Sequence, residues 1–408
     1  MAGPRILAGG VPLGLDNIGD EAILACAVRI LREVCPDCRI TVATNDGPAT
    51  AKKLDVETAP LLGFNAPGET APDEWRRIAE SIRSHDVFFW CGATGLSDYP
   101  EVPLEMVRLA KDAGEKAIVW GVGMNDALNP IKYRVLRGRR RRLLEAIRAL
   151  TFGVVDAVAM EEDRREAGAK RMVREQLERA DLVVTRDPES RHEIALCGVQ
   201  REIVVGADSA LILGPSAIDA VRLSNRVRAL LASPRKKVGI CISAQQALRD
   251  DAGLVGFIDG LLAGGLDVLF LPMNPETDAK LMNGILVKLR HIEHAATVEG
   301  IREPEDVLAI ASRMDVIISS RLHLLIFASI VHVPIIGIGR GSKVNNFLKP
   351  YGLRPAGTVE VCDFAHLESE TQRFLTDPES FKLRSRAVRE ELLARLDHAK
   401  ERLAKTLT

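Results

Sequence analysis

The chain has 408 residues, of which 47% are hydrophobic and 27% are charged. This profile is typical of a soluble globular protein, and the length favours two domains. The formal net charge of −1 and the aromatic content of 4% argue against a nucleic-acid surface, which needs basic charge and stacking rings. The N-terminus lacks a charged segment followed by an apolar one, so we expect no signal peptide and a cytoplasmic protein.

Strand-like and helical segments alternate through the first half of the chain. The strand-like segments are 5–8, 40–43, 86–90, 117–122, 182–185 and 203–205. The helical segments include 21–33, 72–84, 104–113 and 190–197. The alternation predicts a parallel sheet with helices on both faces, in an N-terminal domain spanning 1–214.

Residues 133–180 form a charged, helix-rich insertion in this domain, with consecutive arginines from Arg139 to Arg142. We interpret the run first as a solvated helix face. A patch for an anionic acceptor, such as a diphosphate-linked lipid sugar, is the second interpretation. Nucleic acid comes third because supporting aromatics and motifs are missing.

The alternation pauses at 214–216 and then restarts, which predicts a second α/β domain over 215–376. Its strand-like segments are 237–242, 266–271, 315–319 and 334–338. Its helical segments are 217–232, 254–263, 277–289, 304–312 and 322–331. A charged helical tail, 377–408, follows. The apolar stretch 322–339 contains two histidines and a proline, so a buried helix and strand explain it better than a membrane span.

Two parallel α/β domains facing across a cleft form the GT-B-like arrangement of sugar-transfer enzymes, here by analogy of pattern. Ligands of open parallel sheets bind beyond the carboxyl ends of the strands, so the loops after strands are the candidate sites.

The loop after the first strand combines glycines with the turn Asn17-x-Gly19-Asp20 and opens a helix. Its spacing differs from the GxGxxG fingerprint, which argues against NAD. Asp20 could face a ligand, whereas Glu21 is explained by the helix dipole. A second loop of small residues contains Thr94, and ligand approach and a plain turn are equally good interpretations.

Arg186 follows the strand-like segment 182–185 and precedes Asp187, a natural N-cap followed by proline. A fixed guanidinium there suits a carboxylate or phosphate. Pairing with a nearby surface carboxylate is the alternative.

The sharpest signal is the segment 319–323, in which two serines, Arg321, Leu322 and His323 open an apolar helix. With a serine as N-cap, Arg321 and His323 fall in the first turn, where positive charge opposes the helix dipole. A bound anion would resolve this conflict; His323 packing or capping is the alternative. The glycine-rich loop that follows the next strand ends at Lys343, which could reach the same anion or lie in solvent.

Seven cysteines scattered through the chain indicate reduced thiols. Cys35 and Cys38 form one CxxC pair without a second, so zinc is not supported. His291 and His294 are an equally weak pair, and we expect no metal.

These segments resemble the polysaccharide pyruvyl transferase family. The matching pieces are Asn17-Ile18-Gly19-Asp20-Glu21, Arg186-Asp187-x-x-Ser190 with Ala207-Asp208, Ser320-Arg321-Leu322-His323, Val333-Pro334 and Lys343-Val344. The resemblance implies a GT-B-like fold and transfer of the pyruvyl unit of phosphoenolpyruvate to a sugar hydroxyl of a cell-surface glycan or its precursor, usually as a cyclic ketal. Phosphoenolpyruvate is then a co-substrate, and no cofactor or metal is implied.

The resemblance also implies roles for individual residues. Residues that would hold the donor are Arg186, Arg321, Leu322, His323 and Lys343, with His323 as general acid. Residues that would lie on the acceptor side are Asn17, Gly19, Asp20 and Thr94, with Asp20 orienting or deprotonating the hydroxyl. The acceptor is expected to be a lipid- or nucleotide-linked sugar, membrane contact to be at most peripheral, and a homo-oligomer stays open.

The chain departs from the family pattern at three positions that are often glycine, Cys91, Ala93 and His332. The acceptor side is therefore less well matched than the donor side. Two rival functions follow: a GT-B glycosyltransferase using a nucleotide sugar, and a non-catalytic sugar- or anion-binding homologue.

Overall fold

The computed structural model describes residues 3–64, 71–93, 95–245 and 248–408. The strands are β1 Arg5–Gly9, β2 Arg39–Thr44, β3 Glu57–Pro60, β4 Val87–Trp90, β5 Lys116–Val122, β6 Leu182–Thr185, β7 Val204–Val205, β8 Lys237–Cys241, β9 Asp267–Phe270, β10 Ala295–Thr297, β11 Val316–Ser319 and β12 Ile335–Gly337. The helices are α1 Ile18–Val34, α2 Gly47–Leu54, α3 Pro72–Arg83, α4 Gly95–Asp98, α5 Glu101–Asp112, α6 Pro130–Tyr133, α7 Arg139–Leu150, α8 Ala157–Arg179, α9 Pro188–Leu196, α10 Asn225–Ala232, α11 Asp251–Ala263, α12 Thr277–Leu286, α13 Pro304–Ala311, α14 Leu322–Ile330, α15 Ser342–Leu348, α16 Phe364–Thr376 and α17 Glu379–Leu407.

The chain forms two compact units. Unit 1 comprises Met1–Pro12, Val34–Val205 and Arg402–Thr408, and unit 2 comprises Leu13–Glu33 and Gly206–Glu401. These bounds differ from the predicted domains 1–214 and 215–376 in two ways. The second segment of unit 2 begins at residue 206, and unit 2 also contains residues 13–33, which include nearly all of α1. The tail predicted at 377–408 is mostly α17, whose last residues belong to unit 1.

Unit 1 is built on a parallel sheet in the order β3-β2-β1-β4-β5-β6-β7. Its central strands are apolar on both faces, and Phe88, Phe89, Trp90 and Trp120 are almost completely buried. Such continuous apolar strands are expected where helices cover both faces of a parallel sheet. The predicted insertion 133–180 contains α7 and α8.

Unit 2 is built on a parallel sheet in the order β10-β9-β8-β11-β12. The strand order reverses between β8 and β11, and this reversal is the place where an open α/β sheet binds its ligand. The stretch 322–339 is not one span, since it divides into the buried helix α14 and the strand β12. No helix in the described parts of the chain combines the length and apolarity needed to cross a bilayer.

Two of the three positions where the family pattern often has glycine, Ala93 and His332, have left-handed backbone. Ala93 has φ 65° and His332 has φ 59°, a region that disfavours any residue with a Cβ. The His332 imidazole gains a partner, since its Nδ1 lies 3.1 Å from Ser385 Oγ. These two departures therefore keep the backbone shape of a glycine at some cost in strain.

Candidate active site

The loop between β11 and α14 is fixed by both of its serines. Ser319 Oγ accepts a hydrogen bond of 2.9 Å from the backbone N–H of Arg321. Ser320 Oγ accepts one of 2.8 Å from the N–H of Ser243, which follows β8. The prediction that a serine caps α14 is wrong, because the N-cap is Arg321 with extended backbone and no capping side chain. The serines instead link the two strands at the reversal point of the sheet.

The Arg321 guanidinium is held by a buried carboxylate. Its Nε and Nη2 donate to the two oxygens of Asp278 at 2.8 and 2.7 Å, and Asp278 is fully buried. Asp278 also accepts the backbone N–H groups of Ala244 and Asn274 at 3.0 Å each. The expected conflict at Arg321 is therefore resolved by a protein carboxylate, and Arg321 lies outside the first helical turn. We interpret Arg321 as a residue that positions the loop.

Leu322 and His323 are the first residues of α14. The Leu322 side chain is buried, so only its backbone could serve a ligand. The ring of His323 lies in the first turn, and the side chain is 14% exposed. Its Nε2 is buried and has no hydrogen-bond partner among the described residues; the Asp208 carboxylate oxygen is 3.5 Å away. An imidazole placed in this way has one nitrogen available for proton transfer.

Asp208 is a site residue that the sequence analysis missed as a functional group. It precedes the short 3₁₀ helix Ser209–Ile212, and its carboxylate accepts the Ala210 N–H at 3.0 Å. The cap fixes the carboxylate next to His323. The only signal in the sequence was the match at Ala207-Asp208, which carried no role.

The start of α1 lies against the His323 ring. A Cβ built on Gly19 would overlap the imidazole, so only glycine fits this approach. Asn17 Oδ1 accepts the Gly19 N–H at 3.2 Å, and Asn17 Nδ2 donates to Asp20 Oδ2 at 2.6 Å. The backbone N–H of Ile18 donates to the Met273 carbonyl at 3.0 Å, which ties α1 to the loop that follows β9. The turn Asn17-x-Gly19-Asp20 thus shapes the wall beside His323.

The surroundings of Asp20 shift the pKa of its carboxyl in opposite directions. Burial raises the pKa of the Asp20 carboxyl above its usual value. The positive charges of His323 and Lys343 oppose that rise, as do Arg321 and the hydrogen bond from Asn17. A carboxylate whose affinity for a proton is increased in this way suits a general base. Glu21, by contrast, accepts the Gly14 N–H at 2.8 Å and holds the preceding loop.

The glycine-rich loop after β12 supplies two further cations to the same part of unit 2. Arg340 donates from Nη1 to Ser243 Oγ at 3.0 Å and from Nη2 to Gln245 Oε1 at 2.6 Å. Lys343 lies in the first turn of α15, whose N-cap is Gly341. Lys343 lies within electrostatic range of Asp20, and its role as an anion ligand stays a prediction.

Arg186 lies in unit 1, after β6. Its Nε donates to the neighbouring Asp187 at 3.2 Å, and Asp187 caps α9 through the Ser190 N–H at 2.7 Å. A Cβ on Gly123 would meet the guanidinium carbon at 2.6 Å, so the arginine is pressed against backbone and only 8% exposed. This is the carboxylate pairing given as the alternative, and the donor-binding role stays a prediction. Thr94 lies outside the described residues.

The other candidate groups have structural partners. His294 Nδ1 is 3.1 Å from Asp267 and its Nε2 is 2.9 Å from Arg235. All seven cysteines are free thiols. Within the described ranges there is no group of three or more His, Cys, Asp or Glu side chains placed to hold a metal. The absence of a cofactor stays a prediction.

The sequence model of one family, described as polysaccharide pyruvyl transferase, matches residues 17–342, a span that includes Asp20, Asp208 and His323. The chain belongs to the polysaccharide pyruvyl transferase family. A comparison with curated protein sequences gave no match.

Solved structures of the GT-B type resemble this pyruvyl transferase family member in fold. Anabaena Alr3699/HepE in complex with UDP-glucose has a TM-score of 0.60 at 11% identity, over 98% of this chain and 100% of that one. S. aureus MnaA with UDP has a TM-score of 0.59 at 11% identity, over 94% and 91%. A glycosyltransferase from Rickettsia africae has a TM-score of 0.57 at 11% identity, over 100% and 98%. At these identities the likeness confirms the predicted fold class and nothing finer.

Proposed function

We propose that the protein transfers the pyruvyl group of phosphoenolpyruvate to a sugar hydroxyl of a cell-surface glycan or its cytoplasmic precursor, forming a ketal. The observation that carries the proposal is His323, a histidine with a buried Nε2 that has no hydrogen-bond partner among the described residues. It lies 3.5 Å from the Asp208 carboxylate and within electrostatic range of Asp20. The membership of the pyruvyl transferase family supports the reaction class.

The reaction begins at carbon 3 of the enol, which must take up a proton before carbon 2 becomes electrophilic. His323 is the proton donor in the proposal, because Nε2 has no competing acceptor at hydrogen-bond distance among the described residues. Asp208, whose carboxylate oxygen lies 3.5 Å from the same nitrogen, stabilises the imidazolium by its charge.

The sugar hydroxyl then attacks carbon 2 while Asp20 takes its proton. Phosphate leaves with the electrons of its bond to carbon 2, and a second hydroxyl closes the ketal and passes its proton to the phosphate. The raised pKa of Asp20 makes the carboxylate a better proton acceptor near neutral pH than an exposed aspartate.

The donor is a compact anion and needs positive partners. In the proposal, Lys343 and the first-turn backbone N–H groups of α14, which have no partner within the helix, supply them in unit 2. Arg321 acts through the loop, since two of its nitrogens are occupied by Asp278. Two carboxylates, Asp20 and Asp208, lie beside the same histidine and reduce the net positive charge of the cluster.

A glycosyltransferase with a nucleotide-sugar donor is the second candidate. It is favoured by the solved neighbours that were determined in complex with UDP-glucose or UDP. If the same surface binds a nucleotide here, the nucleotide could belong to the sugar acceptor instead. A non-catalytic homologue would bind phosphoenolpyruvate without releasing phosphate.

The test compares two histidines of unit 2. His323→Asn should lower phosphate release from phosphoenolpyruvate by about 10²-fold or more while calorimetric binding of phosphoenolpyruvate survives. His332→Asn is the matched control, because His332 pairs with Ser385 outside the cluster and asparagine tolerates its left-handed backbone. Phosphate release by His323→Asn at the wild-type rate contradicts the proposal. Release of nucleoside diphosphate from a nucleotide sugar, with no use of phosphoenolpyruvate, supports the second candidate.

A further inference from the structure

Helix α7 of unit 1 presents apolar side chains to solvent. Leu143, Ile147 and Leu150 are 67%, 38% and 79% exposed, and their spacing of four and three residues places them on one side of a helix. The turn that follows continues the surface with Phe152 and Val154, which are 96% and 86% exposed. A soluble helix normally turns such a stripe inward, so the outward stripe requires an explanation.

The helix is held in this orientation by ion pairs with its neighbour α8. Arg140 pairs with Glu161 at 2.6 Å, and Arg148 pairs with Asp156, the N-cap of α8, at 3.1 Å. None of the residues of α7 is buried. Polar contacts therefore fix one side of α7, and the apolar side stays exposed among the described residues of unit 1.

Positive charge surrounds the apolar stripe. Residues 136–156 contain six arginines against two acidic residues, in a chain whose formal net charge is −1. Arg137, Arg139 and Arg142 are exposed and form no ion pair in the part of the chain that the structure describes. Apolar side chains bordered by unpaired arginines complement a surface that is negatively charged outside and apolar just beneath.

We propose that α7 and the turn 151–154, together the α7 face, dock on an anionic phospholipid bilayer. Leu150, Phe152 and Val154 would enter the headgroup boundary, and the arginines would contact the phosphates. A second copy of the chain fits less well, because a symmetric interface would bring the arginines against their own counterparts. Phe152 also projects from the surface, which suits a deformable bilayer better than a preformed groove.

The proposal is independent of the transferase reaction and is tested without substrates. The full chain is sedimented with vesicles of phosphatidylcholine alone, and with vesicles of phosphatidylcholine and phosphatidylglycerol in roughly equal parts. Binding is expected only to the anionic vesicles and should weaken at high salt.

Three variants sharpen the test. Leu150→Asp with Phe152→Asp should abolish vesicle binding, and Arg139→Ala with Arg142→Ala should lower the partition coefficient by roughly tenfold or more. Leu196→Asp is the matched control, since Leu196 is a 65% exposed leucine of α9 in the same unit, and it should bind as wild type does. The exposed positions leave the core intact, which thermal unfolding verifies.

Absence of binding to anionic vesicles overturns the proposal, as does binding that survives Leu150→Asp with Phe152→Asp. A dimer in analytical ultracentrifugation that dissociates on the same double substitution would assign the α7 face to self-association instead.

Discussion

The ion pair between Arg321 and Asp278 gives the prediction with the largest effect on stability. Both side chains are buried, at 9% and 0% exposure, and two hydrogen bonds of 2.7 and 2.8 Å join them. Arg321→Met leaves the Asp278 charge buried without its counter-ion. Breaking a buried pair from one side costs about 3–5 kcal/mol.

The cost can be converted into a melting temperature. Unit 2 has roughly 200 residues, for which 1 kcal/mol corresponds to about 2–4 °C. Arg321→Met should therefore lower the melting temperature of unit 2 by roughly 6–20 °C. Asp278→Asn should cost less than Arg321→Met, because asparagine keeps an oxygen for the N–H of Ala244 or Asn274.

The double variant separates a structural role from a ligand-binding one. Arg321→Met with Asp278→Asn removes both charges together, so its loss should fall short of the summed single losses by about 2 kcal/mol or more. Urea unfolding followed by circular dichroism measures all four proteins. A loss below about 1 kcal/mol for Arg321→Met, or strict additivity, refutes the pairing and returns Arg321 to the predicted role of donor ligand.

Three smaller predictions concern the backbone and Asp20. Gly19→Ala forces the His323 ring aside and should lower turnover by roughly 10–100-fold. Gly256→Ala is the control, because its Cβ meets nothing within 4 Å, and it should leave turnover unchanged. Equal turnover of the two variants would contradict the contact between Gly19 and the His323 ring. Burial raises the pKa of Asp20, so the folded state binds this proton more tightly than the unfolded state, and the stability it contributes is lost as pH rises through the folded pKa. Asp20→Asn should therefore melt higher than wild type at neutral pH, with a difference that shrinks towards about pH 4; a constant or opposite difference argues against the raised pKa. Ala93→Gly relieves left-handed backbone strain at φ 65° and should raise the free energy of unfolding by about 0.5–1 kcal/mol, as measured by thermal unfolding. A lower free energy of unfolding would show that burial of the Ala93 methyl group matters more than the strain.

The sequence predicted the sheet strands where they are long and apolar. All ten strand-like segments overlap observed strands, because buried parallel strands form continuous apolar runs. The strands β3 and β10 were missed, since Glu57–Pro60 and Ala295–Thr297 are short and contain no large apolar or β-branched aliphatic residue that would mark a strand. The segment 217–232 was predicted as one helix, but α10 begins only at Asn225, after Ser224 caps it.

The candidate site was predicted in part, and the failures have a common cause. The segment 319–323 and the turn at Gly19 could be located, because glycine and cationic residues at element ends break local rules. Asp278 could not, since an aspartate in the first turn of α12 is what any helix favours. Which carboxylate meets Arg321 depends on contacts across 43 residues of sequence. Long-range pairing of this kind carries no local signature.

The helix-rich insertion was interpreted first as a solvated arginine face. The ion pairs of Arg140, Arg141 and Arg148 agree with that interpretation. Sequence alone did not show that the apolar residues of α7 also face solvent, because the periodicity of a helix does not say which side is covered.

The central claim is most directly tested by running the reaction in deuterium oxide. The full chain is incubated with phosphoenolpyruvate and nucleotide- or lipid-linked sugars, and phosphate release is followed together with proton and carbon NMR of the product. Protonation at carbon 3 followed by ketal closure predicts one solvent deuteron in the methyl group of the modified sugar, in step with phosphate, and loss of both in His323→Asn. A product that keeps vinyl protons would be an enolpyruvyl ether, which contradicts ketal formation. Absence of phosphate release with every acceptor, alongside transfer from a nucleotide sugar, would contradict the pyruvyl transfer itself.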